Sequence, residues 1–475
     1  MVRMSATTSA AVPASASRLE FDAALIRKYD GFGPRYTSYP TADRFHDGFG
    51  PARYADALQT RNATRSAQPL SLYVHLPFCN TICYYCACNK VITRNRAHSA
   101  KYVDYLEREI AVVSALVEGD PPVSQVHWGG GTPTFLAHAE MGRLMASLKS
   151  RFRFAADTET SIEVDPRKVD AATIAFLGEL GFNRISVGVQ DFDADVQRAV
   201  NRIQSEEETR VVIDAAVRNG FASVNVDLIY GLPRQTIAGF ATTLDKVIAI
   251  GPDRIALYSY AHVPHLFKTQ QQINLAELPA PQVKLDILAL AIARLEAAGY
   301  VYIGMDHFAK PHDELAEAQR HRKLHRNFQG YSTRPDCDLL GFGISSIGKV
   351  GDAYAQNVKT LDEYYAALDE GTLPVMRGVE LTRDDRLRRE IIQRLMCDFE
   401  LDVADVEARW DLRFADAFAA EIEALAPLIA DGLAAFDGRR LAVTPRGRLL
   451  VRTIAMPFDR HLREARERTR YSRVI

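Results

Sequence analysis

From residue 71 onward, short apolar runs alternate with longer segments in which apolar residues recur at helical spacing. The runs LSLYVHL, QVHWG, SIEVD, RISVGVQ, SVNVDLIYG and RIALYSY are rich in Val, Ile, Leu and Tyr, and each predicts a strand. Between them KYVDYLEREIAVVSALV, MGRLMASLKSRF, DAATIAFLGELG and EEETRVVIDAAVRNG predict helices, the last two running into a Gly suited to capping a helix end. Parallel neighbours need a crossover about as long as a helix, so this alternation predicts an α/β fold with six parallel strands. The polar residues fall at the C-terminal end of each run: His75, Gly129 to Gly131, Glu163, Gln190, Asp227 and the Tyr260-Ala261-His262 turn. In a parallel barrel those ends share one rim, the place where barrel enzymes keep their chemistry.

The rhythm stops near residue 360. RDDRLRREIIQRLMCDFE and FADAFAAEIEALAPLIADGL read as helices, and FDGRRLAVTPRGRLLV carries an Asp437-Gly438 hairpin signal, so helices plus hairpin could form a winged helix. GFGPRYTSYPTADRF, residues 31 to 45, is aromatic and turn-rich and predicts an ordered arm. The first nineteen residues are rich in Ala and Ser, lack acids and lack a continuous apolar core. They predict a flexible tail rather than a secretory signal, and Arg3 and Arg18 are little charge for a transit peptide. The expected organisation is a tail over 1–20, an arm over 21–65, a strand–helix domain over 66–360 and a mainly helical domain over 361–475, since 475 residues exceed what one core usually serves.

Composition adds exclusions. With 47% hydrophobic and 25% charged residues the chain matches ordinary globular usage, and a net charge of -2 supplies no field to draw nucleic acid or anionic lipid. No run reaches the roughly 18 to 20 apolar residues that span a bilayer. The expectation is therefore no nucleic-acid partner and no membrane span. No feature sets the oligomeric state; a monomer is the expectation. The terminal HLREARERTRYSRVI holds Arg463, Arg466, Arg468, Arg470 and Arg473, either a solvated helix face or a surface for a carboxylate-bearing substrate.

Four of the six cysteines sit in CNTICYYCAC, residues 79 to 88. Structural zinc usually takes two cysteine pairs a dozen or more residues apart, and neither Cys337 nor Cys397 has such a neighbour. Disulfides across so short a loop would be strained and would stabilise little, and the cysteine usage fits a reducing cytoplasm. An iron–sulfur cluster suits closely spaced thiolates. Cys79, Cys83 and Cys86 form CxxxCxxC, and Cys88 follows; its two-residue offset from Cys86 turns it away from a cluster if the local backbone is extended.

The CxxxCxxC loop after the first strand, with HWGGGTPT after the second, resembles the radical S-adenosylmethionine superfamily. That resemblance implies a [4Fe-4S] cluster on Cys79, Cys83 and Cys86, with its fourth iron open to S-adenosylmethionine, whose cleavage gives a 5'-deoxyadenosyl radical. PRYTSYPTA, CYYCACNK, HWGGGTPT, SIEVDPR, VGVQDF, VNVDLIYGLP and YSYAHVP together resemble the oxygen-independent coproporphyrinogen III oxidase family. The family implies an incomplete, six-stranded (β/α) TIM-like barrel with a C-terminal helical domain, and two molecules of S-adenosylmethionine. It implies oxidative decarboxylation of two propionates of coproporphyrinogen III, giving the vinyl groups of protoporphyrinogen IX, with an unidentified low-potential electron donor and an electron acceptor. Carried over by motif, Tyr73, Gly130, Glu163 and Ile347 would contact the first S-adenosylmethionine. Tyr85, Gly131, Thr132, Gln190, Arg202, Asp227 and Ala261 would contact the second, with Tyr85 replacing a Phe. Cys88 is implied to stay off the cluster, and Arg35 and the C-terminal arginines are candidates for the substrate's carboxylates. Haem-binding chaperone and haem methyltransferase paralogues of the superfamily are the alternative functions.

Overall fold

The computed structural model describes residues 19–334, 337–464, 471 and 473–475. Most of the expected tail, residues 1–18, lies outside the described residues, as do Arg466, Arg468, Arg470 and the side chain of Arg463.

Each of the six apolar runs forms a strand: β1 (Leu70–Leu76), β2 (Val123–Gly130), β3 (Phe154–Val164), β4 (Arg184–Gln190), β5 (Ser223–Tyr230) and β6 (Arg254–Ser259). They lie side by side in chain order and all parallel. The intervening helices are α1 (Ala97–Ala115), α2 (His138–Arg151), α3 (Ala171–Leu180), α4 (Glu206–Arg218) and α5 (Ile237–Ile250). Their ends follow local chemistry. Asp170 accepts from the Thr173 N–H at the start of α3, and Ser205 with Glu208 forms a reciprocal capping box on α4. Gly181 and Gly220 take positive φ just past the ends of α3 and α4, as the sequence led one to expect. At every second position these strands turn an apolar side chain to the core, and Leu72, Val74, Val126, Trp128, Ile162, Val187 and Val226 are all fully buried.

The sheet is twice as wide as the pattern predicted: twelve strands, six of them missed. Beyond β6, after α6 (Pro281–Ala297), β7 (Val301–Gly304) and β8 (His307–Ala309) add an antiparallel edge in the order β6-β8-β7. On the other flank β9 (Asp338–Phe342) pairs with β1 as a further parallel strand. β10 (Ile347–Val350), β11 (Ala353–Asn357) and β12 (Val375–Glu380) extend it antiparallel. Segments of three to six residues, several interrupted by Gly, carry too little periodicity to stand out. Among the described residues no ladder joins β12 to β7, so the (β/α) barrel is incomplete. The sheet runs past residue 360, to Glu380.

The C-terminal region begins with α7 (Arg383–Asp398). A hairpin of Ala434–Phe436 and Arg440–Val443 turns at Asp437–Gly438, and Glu400–Asp402 adds a third strand. The N-terminal arm packs on this region: Tyr36 and Tyr39 are buried, Tyr36 Oη donating to Asp459 (3.2 Å) and Tyr39 Oη accepting the Arg460 N–H (3.1 Å). One continuous apolar core includes residues from Leu19 to Ile475.

Opposite the polar rim, the sheet opening is closed by polar groups. Gln125 on β2 donates to Glu159 on β3 (2.9 Å), which pairs with Arg184 on β4 (3.1 Å). At the start of β9, Asp338 pairs with Arg61 at 3.1 Å, with side chains 0% and 1% exposed, and accepts the Gly351 N–H. Removing one partner of a buried pair strands the other charge. Asp338→Ala is therefore expected to destabilise the fold by about 3–5 kcal/mol, read as a lowered denaturation midpoint, whereas the exposed-pair variant Arg53→Ala should shift it by under about 1 kcal/mol.

Candidate functional site

The cysteine loop leaves β1 and is held by backbone hydrogen bonds from its surroundings. The Thr132 N–H donates to Phe78 O (2.9 Å), Thr93 N–H to Cys79 O (3.0 Å) and Tyr84 N–H to Val200 O (3.0 Å). Asn201 Nδ2 reaches Ile82 O (2.7 Å), Thr269 Oγ1 reaches Cys86 O (2.9 Å) and Gln270 Nε2 reaches Tyr85 O (3.1 Å). So fixed, Cys79, Cys83 and Cys86 line one cavity of about 270 Å³. Thr132 Oγ1 donates to Cys79 Sγ (3.6 Å), and Arg202 Nη1 (3.7 Å) and Arg167 Nη2 (3.8 Å) face Cys83 Sγ. Cys88, whose thiol hydrogen-bonds it, and Lys90 hold the Cys86 thiol down to about 6 against its burial, while burial pushes Cys79 up to about 11. The extended geometry expected for Cys88 does not occur. The chain turns at Tyr84–Tyr85 and bends at Cys88, so this fourth thiol meets Cys86 and lines the same cavity.

The glycine turn packs directly on this loop. A Cβ on Gly131 would stand 2.5 Å from Pro77 O, and Gly130, at φ +114°, leaves no room before the His75 ring. Only glycine brings the backbone this close. Glu163, ending β3, accepts the Gly130 N–H (3.0 Å) and lies 3.5 Å from His127 Nε2. Burial works to raise this carboxyl, but His127 and the Gly130 N–H outweigh it and leave it below its ordinary value. His127 is oriented by Ser161 Oγ (2.6 Å) and stacked by the Tyr73 ring at 5.9 Å, and Tyr73 Oη meets His75 Nδ1 (3.0 Å).

The next strands complete the wall. A bulge between Gly188 and Gln190 puts Gln190 at φ +68°, re-aiming its side chain to the cavity. Arg202 Nη2 donates to Gly188 O (2.6 Å) and pairs with Asp165 (3.4 Å), itself held by Arg167 (2.6 Å). Asp227 accepts from Ser186 (3.0 Å) and Asn225 (2.8 Å), and burial, with Glu163 nearby, pushes its carboxyl up to about 6.

These residues fit the implied cofactors. Among the described residues no three His, Cys, Asp or Glu converge tightly enough for a single ion; a multi-iron cluster taking one thiolate per iron spreads its ligands over a cavity wall, as Cys79, Cys83 and Cys86 are spread. Arg202 is 7% exposed, and its Nε has no hydrogen-bond partner, a donor that an amino-acid carboxylate would satisfy. Glu163, Asp165 and Asp227 line the cavity together with Lys90, Arg167 and Arg202, a mixture suited to a zwitterionic sulfonium nucleotide.

Tyr85 and Tyr258 are shared with a second, larger cavity of about 890 Å³. Its wall is apolar and aromatic, with cations from four parts of the chain: Arg35, Lys284, Arg452 and Arg473. Asp306 is the one acidic side chain on its described wall, and it pairs with Arg35.

Of the sequence-predicted residues, Tyr85, Gly130, Gly131, Thr132, Glu163, Gln190, Arg202 and Asp227 line the smaller cavity, and Ala261 lines the larger. Tyr73 lies behind Glu163, through His127. Ile347 lines neither cavity and packs with Phe45, Tyr354 and Leu381. Arg35 and Arg473, expected as carboxylate partners, both reach the larger cavity. Sequence reasoning missed Asp165 and Arg167, though SIEVDPR contains both, and missed His127, two residues before the glycine turn. It also missed Gln270, which ties Tyr85 O to Ala261 O (3.2 Å), and Arg452, which no local pattern separates from a surface arginine.

Comparison with known proteins accords with this geometry. Residues 73–247 match the radical SAM superfamily and residues 381–450 the HemN C-terminal domain. The chain is 51% identical over 461 residues to the oxygen-independent coproporphyrinogen III oxidase of Escherichia coli, covering 97% of this chain and 100% of that one. It is 50% identical to its Pseudomonas aeruginosa counterpart over 96% of this chain and 99% of that protein. A solved structure of coproporphyrinogen III oxidase from Escherichia coli, a radical SAM enzyme, superimposes with a TM-score of 0.89 at 50% identity, over 94% of this chain and 100% of that one. Half the residues shared along almost the whole length, on the same fold, place the chain in the oxygen-independent coproporphyrinogen III oxidase family of the radical S-adenosylmethionine superfamily.

Proposed function

We infer that this protein oxidatively decarboxylates two propionates of coproporphyrinogen III to vinyl groups, giving protoporphyrinogen IX for haem. The observation that carries this is the pair of cavities meeting at Tyr85 and Tyr258: a thiol-lined one built for a cluster and a sulfonium nucleotide, and a large apolar one ringed by cations. Bound there, the [4Fe-4S] cluster and S-adenosylmethionine supply an electron and a carbon-centred oxidant that takes a hydrogen atom. Each propionate loses one hydrogen atom, one carbon dioxide and one further electron. A low-potential donor must therefore feed the cluster, and a separate acceptor must take the last electron.

We propose the following division of labour within the chain. Cys79, Cys83 and Cys86 hold the cluster, and Cys88 stays off it. Gly130, Glu163, Tyr73 and Ile347 serve the first S-adenosylmethionine, Ile347 on the family motif alone, since it lines neither cavity. Glu163 suits ribose hydroxyls, since an ionised carboxylate can accept from both; Tyr73 acts through His127 in holding that carboxylate. Tyr85, Gly131, Thr132, Gln190, Arg202, Asp227 and Ala261 serve the second, Arg202 with its unpartnered Nε taking a carboxylate. Tyr85 and Tyr258 divide the cavities and keep water from the reacting carbon. A monomer is the proposed working unit. No described helix is long and apolar enough to cross a membrane, and thiols outside disulfides support a reducing cytoplasm.

Reconstituted protein incubated without oxygen with coproporphyrinogen III, reductant and S-adenosylmethionine should release two carbon dioxide equivalents and give the divinyl product by mass; release of none would sink the substrate assignment. Iron quantitation should show cluster loss in Cys79→Ser but wild-type iron in Cys88→Ser, and equal loss in both would make Cys88 a ligand. Glu163→Gln should raise the KM for S-adenosylmethionine about tenfold or more, by weakening a charged hydrogen bond, with iron content unchanged.

A further inference from the structure

The larger cavity holds cations of two kinds. Arg35 pairs with Asp306, and Arg473 donates to Asp30 (3.1 Å). Arg452, 3% exposed, donates to the carbonyls of Gly33 (3.1 Å), Arg473 (2.7 Å) and Val474, and so ties the N-terminal arm to the C-terminal segment. Lys284 differs from all three, having neither the carboxylate of Arg35 and Arg473 nor the three carbonyl contacts that occupy Arg452. On the first turn of α6, it has no carboxylate partner among the described residues; its Nζ donates to Tyr260 O at 3.3 Å and lies 5.6 Å from the Tyr230 ring centre. Its position is built rather than incidental. Gly231, at φ +85° just past β5, leaves space that the lysine stem occupies, and a Cβ there would stand 3.0 Å from Lys284 Cε. Lys284 lines the larger cavity and not the cofactor cavity.

A tetrapyrrole entering this cavity carries four carboxylates, and the propionate under reaction must face the shared wall of Tyr85 and Tyr258. The others must be desolvated in an apolar chamber, which is costly without a paired cation. We propose that Lys284 is a substrate-binding residue whose ammonium takes the carboxylate of a propionate that is not being decarboxylated. This rests on the coproporphyrinogen reading of the same cavity and adds to it which side chain is free to neutralise the substrate.

The charge state gives the test a signature. Burial lowers the Lys284 amine to about 8, with Asp30 opposing and Arg473 assisting that fall. The amine is cationic below that value and neutral above it, so affinity for a carboxylate should fall as pH rises through about 8. The other groups facing it keep their charge there: burial brings Arg452 down only to about 10 and raises the Tyr230 and Tyr260 phenols above their ordinary value.

The experiment is an anaerobic fluorescence titration of reconstituted full-length protein with coproporphyrin III, the aromatic form carrying the same four propionates, between pH 7 and 9.5. Lys284→Gln should bind about 10- to 100-fold more weakly at pH 7, the loss of one charge-assisted hydrogen bond. Lys284→Arg should restore binding and abolish its decline above pH 8, with wild-type iron content and melting temperature in both variants. Unchanged affinity in Lys284→Gln would overturn this inference alone, as would equal weakening in the Gln and Arg variants together with a lowered melting temperature. No binding by the wild type would sink the substrate reading as well.

Discussion

A loop that carries four thiols in ten residues cannot arrange itself. Apart from a two-residue ladder between Phe78–Cys79 and Val91–Ile92 it has no regular structure of its own, and the metal ligands it offers must face one cavity while its other backbone polar groups find partners elsewhere. Here those partners come from distant parts of the chain: Thr132 after β2, Asn201 and Val200 after β4, Thr269 and Gln270 after β6. Thr132 sits just past the C-terminal end of β2, and the others lie in the longer segments that follow the C-terminal ends of β4 and β6. Everything else at the site depends on that shared rim, because it lets three separate connections grip one loop.

Charge then divides the two chambers. The cofactor chamber mixes Glu163, Asp165 and Asp227 with Arg167 and Arg202, so a zwitterion can enter without leaving a large net charge buried. The adjoining chamber is apolar, with one acidic side chain and several cations among the described residues, the arrangement expected around a four-carboxylate ligand. Tyr85 and Tyr258 stand on both walls.

The larger chamber also explains why the N-terminal arm and the C-terminal segment share one core with the sheet. Its wall takes Phe32 and Arg35 from the arm, Lys284 from α6 and Arg473 to Ile475 from the C-terminal end, with Arg452 fastening the last to the first. Tyr36 and Tyr39 bury their rings against the same region. The incomplete barrel supplies the floor, and segments outside it supply the sides.

Periodicity alone located β1 to β6 and the helices between them, because buried apolar residues recur at every second strand position, as Ile185, Val187 and Val189 do in β4, in runs bounded by turns. Cysteine spacing and the polar residues closing each run marked His75, the glycine turn, Glu163, Gln190 and Asp227 as one rim. The strands β7 to β12 escaped because they are short and stabilised by pairing with neighbours far away in the chain rather than by a pattern of their own. The same holds for the site. That Cys88 turns back onto Cys86, that His127 and Tyr73 brace Glu163, and that Lys284, unlike Arg35, has no carboxylate partner among the described residues are consequences of distances between separate segments, and one-dimensional order carries no information about distance until the chain has packed.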